Sequence, residues 1–407
     1  MKEVVVIGAG AAGLMAAYAA AENGHSVTVI EKNEKAGKKI YITGKGRCNL
    51  TNDIEPSDFF GNVVSNPKFL YSSVYAMPPR SVMRFFESGG LALKTERGGR
   101  VFPLSDKASD VTACLLNYCK NTGVRFKFNE KVLKICHEHS TLSGIITDKS
   151  RYTADCLVVA TGGLSYPGTG STGDGYLFAE SVGHTIIQPR PALCGIVCDM
   201  SALSSLQGLS LKNVRVSADC NGTRIASFFG EMIFTHFGIS GPIVLSLSSA
   251  VNRLPVRSVS ISIDLKPALD EETLDKRLLR DFSKFQNRQI QNALDELLPK
   301  KMILPVLDAA GINLYTPVHS LKSGQRADLV KALKAFPVKP LSLRSIEEGI
   351  VTAGGVDVKE IDPKTMESKK VKGLYFCGEV LDVDAYTGGY NLQIAFSTGY
   401  AAGHSIK

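Results

Sequence analysis

The sequence predicts an α/β fold in which the first domain is completed by the last part of the chain, with a β-domain and a helical subdomain inserted between the two parts. Four observations predict it. The chain opens on Val4-Val5-Val6-Ile7-Gly8-Ala9-Gly10-Ala11-Ala12-Gly13, passes through small residues and returns in Val27-Thr28-Val29-Ile30 to Glu31. From about Pro189 the pattern changes to short alternating strands with glycine turns. Between Lys266 and Ala310 it becomes helical and charged, punctuated by Pro267, Pro299 and Pro305. From about Leu341 glycine-rich α/β text resumes. The expected division is 1–188 with 341–407, a β-domain over 189–265 and 311–340, and a helical subdomain over 266–310.

The opening is a strand, a glycine turn, a helix and a second strand closing on an acid, the unit that holds an ADP moiety. Gly8 permits the tight turn, Gly10 lets the backbone approach a pyrophosphate and Gly13 allows close helix packing. The N–H groups at the helix start, around Ala11 and Ala12, attract phosphate charge, and Glu31 accepts from ribose hydroxyls. A bare glycine turn in an ordinary α/β unit is the alternative.

A glycine- and lysine-rich loop is expected over 37–52, followed by amphipathic helices over 81–89 and 109–122. Residues 124–136 look like strands, 143–148 and 151–154 like a hairpin pair, and 156–160 like a buried parallel strand that returns the chain to the first sheet. In the insertion, 214–220 and 224–229 read as strands. Val351-Thr352-Ala353-Gly354-Gly355-Val356 and Gly373 to Glu379 precede a last helix over 391–403. The loop 168–175 reads as a mobile cover or as a cofactor-contact turn.

With 407 residues, 44% of them hydrophobic, and 38 glycines, the chain has ample material for a core. The apolar start lacks a basic leader and no apolar run reaches about 18 residues, so a cytoplasmic protein is expected. Nine cysteines without a C-x-x-C pair argue against a disulfide framework, an iron–sulfur centre or a zinc ribbon, and no metal site is expected. The net charge of +8 permits a polyanionic partner without demanding one. The densest basic stretch, Lys276, Arg277, Arg280, Lys284 and Arg288, can meet phosphates or form a solvated helix face.

Distant segments point to a flavin rather than a free nicotinamide. Glu379, directly after a buried strand, can accept from ribityl or ribose hydroxyls. Gly388-Gly389-Tyr390-Asn391 opens the final helix, whose N-terminus would bring donors to the flavin carbonyl side, where reduced flavin carries negative charge.

The runs Thr43-Gly44-Lys45-Gly46-Arg47-Cys48-Asn49-Leu50-Thr51-Asn52, Phe234-Thr235-His236-Phe237-Gly238-Ile239-Ser240-Gly241-Pro242 and Gly378-Glu379-Val380-Leu381-Asp382 with Gly388-Gly389-Tyr390-Asn391-Leu392-Gln393 resemble the bacterial NAD(P)/FAD-dependent oxidoreductases of the BaiN/RdsA type. The resemblance covers essentially the whole chain. It implies a Rossmann-like FAD-binding domain of the two-dinucleotide-binding-domain flavoprotein type and non-covalent FAD. A more distant similarity is to the fumarate reductase flavoproteins, through Ala160-Thr161-Gly162-Gly163 and Thr172-Gly173-Asp174-Gly175. No histidine lies between His25 and His137, so the covalent FAD attachment of several of those proteins has no counterpart in the early flavin loop. The apolar string from Phe234 to Pro242 stands where they carry a dicarboxylate site, which argues against fumarate.

The family implies two activities that are both conjugate reductions, with NAD(P)H as hydride source. The leading expectation is a 3-oxo-4-ene or 4,6-diene bile-acid-type substrate. The alternative is a uridine in ribosomal RNA, giving dihydrouridine. An alternative of another class is a non-catalytic flavin-binding, RNA-associated protein relying on Arg277 and Arg280. Cofactor contacts are expected at Gly8, Gly10, Ala11, Ala12, Gly13, Glu31, Lys32, Lys38, Gly44, Arg47, Cys48, Asn49, Val132, Ala160, Thr161, Gly162, Gly378, Glu379, Gly389, Asn391 and Leu392.

Lys45 and Arg47 can stabilise a phosphate, carboxylate or enolate, and Asn49 can orient a carbonyl. Cys48 is either a proton donor, given a near-neutral pKa and a nearby cation, or a packing thiol under the flavin. His236 either donates to a substrate oxygen or is a structural histidine tied to the backbone. Tyr386, with Tyr166 and Tyr390, can stack on a substrate ring or donate a proton. A second complete G-x-G-x-x-G unit is absent, so the nicotinamide is expected to alternate with substrate at one face, giving ping-pong kinetics.

Overall fold

The valine-rich opening forms the strand Glu3–Ile7, of which all but the first residue is buried, as suits the centre of a parallel sheet covered on both faces. The computed structural model describes residues 1–407, which divide into two units, Met1–Ala192 with Ile346–Lys407, and Leu193–Ser345. In the first unit a five-stranded sheet runs in the order Leu374–Phe376, Cys156–Val159, Glu3–Ile7, Ser26–Glu31, Arg125–Phe128. All its pairings are parallel. The alanine-rich helix Ala11–Glu22 is buried over most of its surface, and its small residues let the terminal helix Tyr390–Ser405 approach backbone to backbone. A Cβ on Gly399 would lie 2.4 Å from the carbonyl of Ala12, and one on Gly403 2.2 Å from that of Ala16.

Several local expectations are corrected by long-range pairing. Segment 37–52 is not a loop: it contains the helix Lys38–Ile42, a 3-10 turn Thr43–Gly46 and the strand Thr51–Asn52, which pairs with Arg100–Pro103. Segment 124–136 does hold strands as expected, divided between two sheets, since Arg125–Phe128 joins the parallel sheet and Val132–Glu138 pairs antiparallel with Thr141–Thr147. Strand Val351–Val356 forms an antiparallel ribbon with Ile186–Ala192. That ribbon holds residues 189–192 in the first unit, so the division falls after Ala192 rather than after 188.

The second unit is a seven-stranded antiparallel sheet in the order Phe336–Val338, Val259–Asp264, Ser210–Cys220, Thr223–Thr235, Gly238–Ser240, Ile196–Cys198, Pro340–Leu343. The helical segment expected to stand as its own subdomain shares one core with these strands. Leu274, Leu278 and Phe282, spaced by four along Glu271–Lys284, cluster with Val216, Ile261 and Phe336. Its basic stripe is partly neutralised, because Lys276 pairs with Glu272 at 2.6 Å while Arg277 and Arg280 reach the buried Asp281 at 3.3 and 3.4 Å. No helix is long and apolar enough to cross a membrane, and the nine cysteines form no disulfide.

One buried polar cluster makes stability depend on pH. His184 places Nδ1 3.1 Å from Glu360 and Nε2 2.7 Å from the Ser368 hydroxyl. Burial pushes its pKa down, against the pull of Glu360. Burial also pulls Glu360 up, but Lys370 and the N–H and hydroxyl of Thr185 outweigh it and hold the carboxyl at about 2. Both folded values lie below the unfolded ones, so their stabilisation is present above the unfolded pKa and is lost as pH falls, first below about 6.5 and then between about 4.3 and 2. Glu360→Gln is expected to lower stability at pH 7 by about 2 kcal/mol, part of the full linkage being screened by solvent, and to flatten the acid limb. Thermal melts from pH 7 to 2 check this, and an unchanged acid limb would refute it.

Candidate functional site

The turn after the first strand has two glycines closed by protein and one open. Gly8 sits at φ +100°, and a Cβ there would meet the Ala160 carbonyl at 2.6 Å. A Cβ on Gly13 would lie 1.9 Å from the Gly8 carbonyl oxygen, whereas one on Gly10 would meet nothing within 4 Å. The helix that starts at Ala11 and Ala12 has no side-chain cap, so its first-turn N–H groups face this open space without a protein acceptor. Glu31 is buried at the end of the second strand. Its Oε2 accepts from the N–H of Ala9 at 2.8 Å and its Oε1 from the N–H and Nδ2 of Asn33 at 2.9 and 2.7 Å. The carboxylate thus braces the turn and retains lone pairs for hydroxyl donors.

Loop 167–174 is tied down. Lys32 donates to the Thr172 hydroxyl and to Asp174 at 2.7 Å, and Asn33 Nδ2 donates to the Thr169 carbonyl at 3.2 Å. Lys38 pairs with Glu34 at 2.8 Å and reaches Asn33 Oδ1 at 3.2 Å. Val132 begins its strand just after Asn129 and Glu130, whose N–H groups donate to the carbonyls of Asn33 and Glu31.

In the flavin loop Gly44, Lys45 and Cys48 all adopt positive φ, 57°, 59° and 59°. Lys45 is exposed, while Arg47 is committed to Glu96, to Asp106 at 2.7 Å and to the face of Phe102 at 4.2 Å. Cys48 is wholly buried, and burial pushes its thiol up to about 12. The near-neutral thiol that a proton donor needs is therefore absent, since no cation offsets its desolvation. Beside it, Asn49 Oδ1 is buried without a partner.

Thr161 Oγ1 and the Tyr176 hydroxyl are likewise buried and unpartnered, and Gly162 turns at φ +73° beside Ser171. Gly378 packs against Ala12 and donates its N–H to Thr398 Oγ1 at 2.9 Å. Glu379 is held by Lys39. Gly389 caps the terminal helix, Leu392 is half-buried on its first turn, and the Asn391 side chain is tied to Ala385 at both N–H and carbonyl, 3.0 and 2.8 Å. Tyr386 is half-buried, its phenol pushed up by burial and by the charge of Asp384. Tyr166 is exposed, and Tyr390 is buried against Phe59.

The first unit thus gathers Gly8 to Gly13, Glu31, Ala160 to Gly162 and Gly378, while Cys48, Asn49 and Tyr386 lie in the same unit. His236 belongs to the second unit. It is exposed at the tight turn between Thr223–Thr235 and Gly238–Ser240, its ring edge-on to Phe237 at 5.2 Å and without a hydrogen bond, so it is not tied to the backbone. Sequence reasoning missed Lys39, Ser165, Thr352 and Tyr176, and no spacing signal connects residues this far apart.

These residues fit a flavin dinucleotide. The open space at Gly10 and the uncapped helix suit a diphosphate, and three orphaned buried oxygens await partners that the protein does not supply.

Residues 2–405 match the family described as HI0933-like protein Rossmann domain. The chain is 32% identical to the 3-dehydro-bile acid delta(4,6)-reductase of Clostridium scindens, over 100% of this chain and 99% of that protein. It is 33% identical to the ribosomal RNA dihydrouridine synthase of Escherichia coli, over 99% and 98%. Among solved structures, the 3-ketosteroid-delta4-(5alpha)-dehydrogenase from Rhodococcus jostii RHA1 is similar in fold, with a TM-score of 0.55 and 16% identity over 99% of this chain and 96% of that one.

Proposed function

Since the chain belongs to the HI0933-like Rossmann-domain family of flavoprotein oxidoreductases, we propose that it binds FAD and uses NAD(P)H to reduce a carbon–carbon double bond conjugated to a carbonyl, first of all in a 3-oxo-4-ene or 4,6-diene steroid of the bile-acid type. The observation that carries the cofactor half is the open cradle at Gly10 under an uncapped helix. The reaction class rests on full-length similarity to two relatives whose named reactions, on a bile acid and on uridine, share this chemistry.

Bound FAD would supply hydride transfer between the nicotinamide and an electron-poor carbon. Gly8, Gly10, Ala11, Ala12 and Gly13 hold the diphosphate, Glu31 the ribose, and Asn49 and Thr161 offer buried oxygens to the cofactor. Tyr386 keeps its proton across the working range and donates to the substrate carbonyl, where negative charge builds. Cys48 packs beneath the flavin and does not exchange a proton.

Cys48→Ala is therefore expected to leave the rate of substrate reduction within about threefold of wild type, whereas loss of a general acid costs roughly 10²–10⁴-fold. Single-turnover reoxidation of the reduced enzyme measures this, and a hundredfold loss in the variant would restore Cys48 as the acid.

A second reading, reduction of a uridine in ribosomal RNA, is favoured by the charge of the second unit, which carries 19 basic against 13 acidic residues. The deciding experiment is anaerobic stopped-flow spectroscopy of FAD-loaded protein reduced by NADH or NADPH. Reoxidation by a 3-oxo-4-ene bile-acid derivative supports the steroid reading. Reoxidation by ribosomal RNA fragments, with dihydrouridine formed, supports the RNA reading. Reoxidation by neither rejects both substrates.

A further inference from the structure

Glu379 follows a buried strand, where sequence alone suggests a carboxylate free to accept from ribityl or ribose hydroxyls. In the folded chain its Oε1 is already filled and its Oε2 is paired with a cation. Lys39 Nζ lies 2.9 and 2.7 Å from Oε1 and Oε2. The Ser165 hydroxyl and the N–H of Thr352 each donate to Oε1 at 2.9 Å. Lys39 also donates to the Ser165 oxygen at 2.6 Å, and the Ser165 proton has the carboxylate at 2.9 Å as its nearer acceptor and the Ile350 carbonyl at 3.4 Å as its farther one. The Thr352 hydroxyl in turn accepts from the N–H groups of Leu164 and Ser165 at 2.8 and 3.1 Å.

Four segments distant in sequence meet in this network: the helix Lys38–Ile42, the turn after Cys156–Val159, the strand Val351–Val356 and the 3-10 turn Gly378–Val380. Three of them border the dinucleotide cradle. Gly37, which caps the helix, donates its N–H to the Ala9 carbonyl at 2.9 Å. Ala160 lies against Gly8, and Gly378 against Ala12. The Lys39 and Glu379 side chains are only 22% and 20% exposed. A pair this dehydrated is tolerated when its hydrogen bonds are complete, and removing one partner strands the other charge.

We propose that the Lys39–Glu379 pair is a clamp that sets the register of the segments around the flavin dinucleotide, with Lys39 a positioning residue that acts through Glu379. The inference rests on the flavoprotein reading above.

The test compares FAD dissociation constants and the visible absorption band of bound flavin for wild type, Lys39→Met, Lys39→Arg, Glu379→Gln and the double variant Lys39→Met/Glu379→Gln, with far-UV circular dichroism to establish folding. The clamp predicts that Lys39→Met and Glu379→Gln each raise the dissociation constant tenfold or more and shift the flavin band. It also predicts that the double variant is no worse than the weaker single variant, and that Lys39→Arg stays within threefold of wild type. Wild-type affinity and spectrum in Lys39→Met would overturn it. So would weakening by Glu379→Gln alone, the pattern of a direct ligand. If Lys39→Met does not fold, the comparison of Glu379→Gln with Lys39→Arg decides: the clamp requires the band to shift in the first and recover in the second, and no shift in the first refutes it. Wild-type protein that takes up no FAD would instead overturn the reading on which the clamp stands.

Discussion

Alanine at Gly13 is expected to yield protein that neither retains FAD nor melts where wild type does, while alanine at Gly10 is expected to cost only the cofactor. The added methyl at Gly13 would stand 1.9 Å from the Gly8 carbonyl oxygen and 3.3 Å from Ala160 Cβ, so the helix must withdraw from the turn. Overpacking of this kind costs about 1–3 kcal/mol or more, and the withdrawal takes the first-turn N–H groups away from the place proposed for the phosphates. At Gly10 the backbone is extended, φ −85° and ψ −170°, and nothing lies within 4 Å of the added methyl. Apo-protein stability should therefore hold or rise by about 0.4–1 kcal/mol, because alanine restricts the unfolded chain, while FAD affinity falls. Melting of the two apo variants and titration with FAD separate these effects. Equal FAD affinity in Gly10→Ala and wild type would remove the pyrophosphate from this cradle.

Glu31→Ala is the second large effect. On the proposed reading it removes a charge-assisted contact to ribose, a loss of roughly 1.5–3 kcal/mol in FAD affinity, which is about ten- to more than a hundredfold in the dissociation constant. It also leaves the N–H groups of Ala9 and Asn33 without their acceptor, so apo-protein stability should fall as well. Glu31→Gln keeps an acceptor oxygen and should recover most of the stability but less of the affinity. An Alanine variant that binds FAD as wild type does would leave Glu31 as a brace of the turn alone.

Elements whose signal is local were legible: the strand Glu3–Ile7 from its valines, the helices Pro79–Ser88 and Ala108–Asn121 from their apolar spacing, and the parallel strand Cys156–Val159 from its unbroken apolar run. Elements that exist only because a distant strand accepts them were not. Thr51–Asn52 is a strand because Arg100–Pro103 pairs with it, and Ile186–Ala192 stays with the first unit because Val351–Val356 does the same. The segment 266–310 reads as helical in either setting, but its apolar face merges with the β core because Leu274, Leu278 and Phe282 pack there.

By itself the sequence determined the dinucleotide-binding unit, the discontinuity of the first domain and the family, since glycine spacing, a strand-terminal acid and long flavin-loop strings are written contiguously. Only the tertiary structure decided what each polar side chain is free to do. Arg47 is neutralised by Glu96 and Asp106, Cys48 is raised out of the neutral range by burial, and the Glu379 carboxylate is paired with Lys39 from 340 positions away. The availability of a charge depends on desolvation and on which partner the fold brings within about 3 Å, and neither is a property of the residue's neighbours in sequence.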